Sequence, residues 1–242
     1  MTIIVFALIG FAAFFLKGIT GTGTSTAIVA FCALLIDPKM AIVLAAFVNV
    51  WGGLYMLRTD PVPLKPRYWM LIAAGMAFGS VFGAWLLKLI DGQIFNIILG
   101  VVFLCVSFLF AFRTVDHTKK GDAPERPSIM DITMGYVAGF CGGFVGVNAP
   151  VLVGYFGHYL HKKHMRRLLI LIFIPAAIVQ SLTYVWNGLF SIEILRYSLM
   201  MVPGMIVGVY VGNIMFHKVS DILFKRILAV FLVFVSLKLI FS

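Results

Sequence analysis

The residues best placed to do chemistry are Lys17-Gly18-Ile19-Thr20-Gly21-Thr22-Gly23-Thr24-Ser25. They lie inside an apolar run, Thr2 to Ile36, whose only charge is Lys17. A lysine, three threonines, a serine and three glycines make a set of donors with no carboxylate among them. That set suits an oxyanion. Glycine lets a backbone N–H approach a ligand with no Cβ in the way. Thr20, Thr22, Thr24 and Ser25 add neutral hydroxyl donors, and Lys17 adds a cation. A second stretch of the same kind runs from Gly139 to Pro150 and holds Gly142, Gly143, Gly146 and Asn148.

Both stretches are poor material for a continuous helix, because glycine and β-branched threonine lower helix propensity. At membrane depth, a break is tolerated where the freed backbone groups face a cavity or ligand rather than lipid. An oxyanion entering such a place needs its hydration shell replaced. The N-terminus of a helix that restarts after a break offers unpaired N–H groups and a partial positive charge. Gly21, Gly23, Gly143 and Gly146 would admit the ligand to the backbone, with Gly18 opening the first motif. Two plainer readings stand beside this one. The glycines also suit close helix packing, and Lys17 could snorkel to an interface.

The rest of the chain is what a bilayer requires. Of 242 residues, 62% are hydrophobic and 12% charged, which is too apolar for a soluble domain of this size. Uncharged runs recur at Met40–Leu57, Tyr68–Leu87, Gly92–Phe112, Leu168–Ile192 and Tyr197–Phe216. About 20 such residues suffice for a crossing. The sequence therefore predicts an all-α, multi-pass integral membrane protein. Its formal charge of +10 belongs to membrane-flanking loops rather than to a nucleic-acid surface. The N-terminus has no basic region and no small-residue cleavage site, so no removable signal is expected. Cys32, Cys105 and Cys141 lie in apolar runs without metal-ligand spacing and read as small core residues. No cofactor or metal is expected.

The spacing predicts two copies of one unit: 1–113, a polar linker over 114–128, and 129–242. A shift of 125 residues places Gly10, Ala13, Gly18 and Gly21 on Gly135, Ala138, Gly143 and Gly146. A shift of 129 places Gly75, Gly79 and Gly83 on Gly204, Gly208 and Gly212. These triplets lie at i, i+4 and i+8, one helix face against which another helix can pack closely. Each half then reads as a broken segment followed by three crossings. If the second broken segment enters and leaves by one face, loop Lys and Arg residues divide 14 against 4. The positive-inside rule favours that arrangement and puts Arg58–Arg67, the linker, Lys162–Arg167 and Lys218–Arg226 in the cytoplasm. Symmetry extends the re-entrant reading to the first segment. Three crossings per half invert the second half relative to the first, a common transporter plan, and leave both termini outside.

The paired elements Gly18–Thr24 and Gly142–Pro150 resemble the duplicated motif of the sulfite exporter TauE/SafE family of membrane permeases. The two glycine triplets fit that family's later segments, and the resemblance covers nearly the whole chain. It implies export or uptake of small sulfur-containing anions such as sulfite, sulfoacetate or other organosulfonates, across the inner (cytoplasmic) membrane. Partners implied are a small anion and the lipid bilayer, with no nucleic acid.

Other polar residues refine the expected site. Asn49 and Gln180 lie in apolar runs, each shortly before a Val-Trp pair, and would line the site from the helix after each break. Interhelical hydrogen bonding is the alternative role for both. Trp51, Trp69 and Trp186 read as interface-belt residues. His158, His161 and His164 beside the Lys162–Arg167 cluster read as a solvated loop able to attract anions. All nine carboxylates fall in expected loops or at helix ends, so none is positioned mid-membrane to relay protons or hold Na⁺. An enzyme is disfavoured because no nucleophile–base pair, carboxylate pair or metal cluster sits at depth. The remaining alternatives are a permease for another small anion or solute, and a non-transporting membrane assembly subunit.

Overall fold

A computed structural model describes residues 2–59, 65–112, 126–158, 160–215 and 221–241. Among them are ten α-helices and no β-strand: α1 (Thr2–Thr20), α2 (Thr24–Cys32), α3 (Pro38–Thr59), α4 (Pro66–Leu89), α5 (Gly92–Phe112), α6 (Ile129–Val145), α7 (Ala149–Phe156), α8 (Lys162–Trp186), α9 (Ile192–Met215) and α10 (Asp221–Phe241). Helices satisfy every backbone group internally, which lipid demands. Six described stretches are long and apolar enough to cross a membrane: Thr2–Ile19, Pro38–Arg58, Pro66–Leu89, Gly92–Leu109, His164–Trp186 and Ile192–Met215. Residues 114–125 of the linker, with Lys218 and the side chains of Lys162, Lys163, Lys225 and Arg226, lie outside what is described.

Local chemistry starts and stops these helices. Pro66 opens α4, where its missing N–H has no intrahelical partner to lose. Ser128 and Asp131 form a reciprocal capping box at the start of α6. The Asp37 and Asp91 carboxylates accept from the Met40 and Gln93 amides in the first turns of α3 and α5. Pro175 and Pro203 sit inside α8 and α9.

The two expected breaks are present and narrow. The first helix runs past Lys17 to Thr20 and stops at Gly21-Thr22-Gly23; the second runs past Gly143 to Val145 and stops at Gly146-Val147-Asn148. Gly21 and Gly146 both hold a positive φ, 78° and 72°. That is the left-handed conformation in which a Cβ is penalised, and it ends each helix. The 125-residue offset therefore places one break on the other.

Beyond the second break the chain doubles back. The Tyr155 hydroxyl, near the end of α7, donates to the Asp131 carboxylate in the first turn of α6 at 2.9 Å. The first broken segment is longer than a half-depth turn requires, since α1 alone is long enough to span.

The glycine triplets pack across halves. A Cβ built on Gly75, Gly79 or Gly83 of α4 would stand within 2.8 Å of the Ile132, Tyr136 and Phe140 carbonyl oxygens of α6. One built on Gly204, Gly208 or Gly212 of α9 would stand as close to the Ala7, Phe11 and Phe15 carbonyls of α1. The two sets of partners are again 125 and 129 residues apart. Each broken helix thus runs parallel to a helix of the other half with backbone against backbone. The Ser107 hydroxyl of α5 donates to the Ala229 carbonyl of α10, 2.8 Å away, and α3 packs on α8. Large apolar side chains such as Phe78, Trp85, Phe108, Trp186, Tyr210 and Phe234 face outward. Such a surface is solvated by acyl chains rather than by water.

Candidate functional site

Where the halves meet lies a small cavity of about 20 Å³, lined by Ser25, Ala46, Asn49, Met76, Asn148, Phe173, Ala177 and Gln180. Four of these are expected site residues, two from each half. Ser25 is in the first turn of α2, just past the first break. Asn148 is the N-cap of α7, at the second. Two helix N-termini therefore converge on one polar space. Gly23 and Asn148 cap α2 and α7 without a side-chain hydrogen bond of their own, so neither cap residue's side chain satisfies the first-turn N–H groups.

Hydrogen bonds tie each break to the helix that follows it. In the first half, Lys17 Nζ donates to Asn49 Oδ1 (3.0 Å). Asn49 Nδ2 in turn donates to Ser25 Oγ (2.9 Å) and the Ala45 carbonyl (2.8 Å). In the second half, Gln180 Nε2 donates to the Gly142 carbonyl (3.0 Å) and the Tyr184 hydroxyl (2.7 Å). The Tyr184 hydroxyl passes its proton donor on to the Gly143 carbonyl (2.7 Å). Asn49 and Gln180 line the cavity. Each amide spends one N–H on another helix, to Ser25 Oγ or the Gly142 carbonyl, and the other within its own helix, to the Ala45 carbonyl or the Tyr184 hydroxyl.

Lys17 does not line the cavity. It is only 1% exposed, lies 5.5 Å from the Phe14 ring centroid, and reaches the cavity through Asn49 and Ser25. Among the described residues Asn49 is its one hydrogen-bond partner. Snorkelling is excluded by that burial. Gly18 serves packing, since a Cβ there would meet Gly212 Cα. Gly21 lies against the Arg166 side chain, Gly23 against Leu16, and Gly146 against Val29 and Ile42. Gly143 packs on the Ser80 carbonyl. Thr22 and Thr24 are buried, and the Thr20 side chain is outside what is described. Gly142 makes room for Asn148, whose Nδ2 would stand 3.3 Å from an added Cβ.

Sequence reasoning missed several parts. Tyr184 braces the second break, a role that its neighbours Val185 and Trp186 do not signal. Met76 and Phe173 give the cavity apolar walls. The reading of Lys162–Arg167 as a solvated loop is corrected: residues 162–167 begin α8. Arg166 is buried, with Nη2 donating to Asn213 Oδ1 of α9. Arg167 reaches the Leu57 carbonyl at 3.4 Å. A run of basic residues reads as a wet face in one dimension, and only the contacts of Arg166 with Gly21 and Asn213 reveal the burial.

Two larger grooves lie elsewhere and carry no such chemistry. Grooves of about 780 Å³ between α1 and α9 and about 480 Å³ between α3 and α9 are lined mostly by exposed aliphatic side chains. They face the lipid side of the bundle. Among the described residues the carboxylates stay at helix ends, with Asp131, Glu193, Asp37 and Asp91 in or beside first turns. Asp60, Asp116, Asp122 and Glu125 lie outside the described residues.

No curated protein and no solved structure matches the chain. The family profile described as Sulfite exporter TauE/SafE matches residues 6–239, which takes in both breaks, both glycine triplets and every residue that lines the cavity. With an all-helical bundle of membrane-spanning length and a match over nearly its whole length, the chain belongs to the sulfite exporter TauE/SafE family, a family of membrane transporters and not of enzymes.

Proposed function

We propose that this protein exports sulfite and short organosulfonates across the cytoplasmic membrane, holding the anion in the cavity between the two helix breaks. The observation that carries the proposal is the convergence of two helix N-termini, neither capped by its own N-cap side chain, on one polar cavity. Each contributes N–H groups and partial positive charge. The Ser25 hydroxyl, which accepts from Asn49, keeps its own proton to donate. Asn148 adds an amide from the other side. Asn49, Gln180 and Tyr184 position the breaks, and Lys17 acts on the site through Asn49.

The cavity as it stands has room for a single small molecule such as water. A four-atom oxyanion needs its walls to part, so this conformation is closed. Opening toward one face and then the other fits rocking of two inverted repeats, 1–113 and 129–242, about a site at the midplane. The shared 125 and 129 offsets in packing support that plan, as does the return of α7 to the start of α6. The linker then lies in the cytoplasm with both termini outside, as the basic loops favour. A cell interior negative by 100 mV drives each exported charge outward by about 2.3 kcal/mol. No carboxylate proton carrier is required.

Flux of sulfite and a short organosulfonate into proteoliposomes, under an imposed potential, tests the proposal. Saturable flux that follows the potential is expected. Absence of flux for both anions with folded protein would remove the substrate assignment and favour a permease for another small solute.

A further inference from the structure

The α8 helix carries a single stripe from its first turns down to the cavity. Phe173, Ala177 and Gln180 line the cavity. Arg166 lies 7, 11 and 14 residues before them, positions that share one helix face. At about 1.5 Å per residue it sits about 10 Å nearer the helix start than Phe173 and about 21 Å nearer than Gln180. That end of α8 is the linker end of the bundle, where α6 begins and the Tyr155 hydroxyl of α7 returns to Asp131. Arg166 is 6% exposed, its Nη2 donates to Asn213 of α9, and its Cγ lies where a Cβ on Gly21 would collide. It therefore touches the first break itself, between the surface and the cavity.

The equivalent place around the second break is built differently. Gly146, which the 125-residue offset pairs with Gly21, packs against Val29 and Ile42, both aliphatic. Lys39, at that end of α3, is turned to the Ile90 carbonyl at 2.6 Å. One mouth is thus closed by a guanidinium and the other by hydrocarbon.

We propose that Arg166 is the anion-selecting residue of the linker-side mouth, a buried charge that a small oxyanion meets on its way to the cavity. This rests on the transporter reading above. A buried guanidinium at the break offers an oxyanion a planar, bidentate donor pair, the geometry in which arginine binds best. Phe173, between Arg166 and the cavity, then separates a capture position from a holding position. Among the described residues around Gly146 there is no such filter, so selection is one-sided.

The test reads access rather than transport. In a background with Cys32, Cys105 and Cys141 replaced by alanine, Ala46→Cys places a thiol in the cavity wall. Membrane-impermeant anionic and cationic thiosulfonates are applied separately to each face of oriented vesicles. From the linker face the anionic reagent is expected to react about tenfold faster than the cationic one, once corrected for intrinsic rates, and Arg166→Gln to bring the ratio close to one. From the opposite face the ratio is expected to be unchanged by the substitution. A ratio that Arg166→Gln leaves unaltered, or alters equally from both faces, overturns the assignment. Should Arg166→Gln fail to fold, Arg166→Lys keeps the charge and must keep the anionic preference; its loss there also overturns the proposal. Sulfite flux measured in parallel separates the two claims. A falling ratio without sulfite flux retains the filter and removes the substrate, and flux with an unaltered ratio does the reverse.

Discussion

The two breaks share a frame and differ in chemistry. Both end on a glycine at positive φ, both are followed by a helix without a side-chain cap, and both place a residue on the same cavity. Around the first break the bracing group is a buried lysine acting through Asn49. Around the second it is a neutral pair, Gln180 and Tyr184, bonded to the Gly142 and Gly143 carbonyls. The frame is set by backbone contacts that only glycine permits, so it recurs under a fixed offset. The bracing groups are free to differ because charged and neutral hydrogen bonds alike can tie a break to the helix after it. The first break is thus braced through a cationic group and the second through neutral ones.

The largest effects should come from breaking the shared frame. Gly79→Leu and Gly208→Leu each force a side chain into the backbone of a helix from the other half, with Phe11 O only 2.5 Å from a Cβ on Gly208. Overpacking against side chains costs about 1–3 kcal/mol, and backbone yields less. Both variants are expected to lose folded protein in size-exclusion chromatography. Wild-type yield for one and loss for the other would show that the halves are not equivalent.

The next effect separates the two breaks. Lys17→Met removes a charge-assisted hydrogen bond, worth about 1.5–3 kcal/mol, and is expected to lower sulfite flux about tenfold or more. Gln180→Leu removes neutral bonds of about 0.5–1.5 kcal/mol each and is expected to lower it only a few-fold. Equal losses would erase the cationic and neutral distinction. A smaller effect sharpens it: Asn49→Leu strands Lys17 without its partner, for a loss of about 1–3 kcal/mol in thermal melts. Adding Lys17→Met should recover part of that loss, and strict additivity would mean the two residues do not act together.

These comparisons also show what one dimension can reveal. The glycine triplets and the Gly21 and Gly146 breaks were legible because glycine at such spacing answers a backbone demand, and the demand repeats. Asn49 and Gln180 were legible as isolated amides in apolar runs. Arg166 was not, because its burial depends on Gly21 and Asn213, distant in sequence, meeting its side chain. Nor was the place of Lys17, one hydrogen bond behind the cavity, because a lysine's reach spans several candidate partners. The extent of α1 escaped too, since a glycine-rich stretch marks where a helix weakens and not where it ends.

The smallest effect concerns a glycine outside the frame. Gly188 holds φ 74° with nothing within 4 Å of an added Cβ. Gly188→Ala should therefore lower stability by about 1 kcal/mol through backbone strain alone. Gly92→Ala, equally unobstructed but without a positive φ, should be neutral or slightly stabilising in the same melts.

The most direct measurement is to locate the anion. Selenite has the shape and charge of sulfite and scatters anomalously at the selenium edge. In crystals of the protein grown with selenite, the account predicts an anomalous peak between Ser25 and Asn148, within hydrogen-bond distance of the first turns of α2 and α7. A peak in the outer grooves, or none in that cavity while selenite competes with sulfite flux, would contradict it.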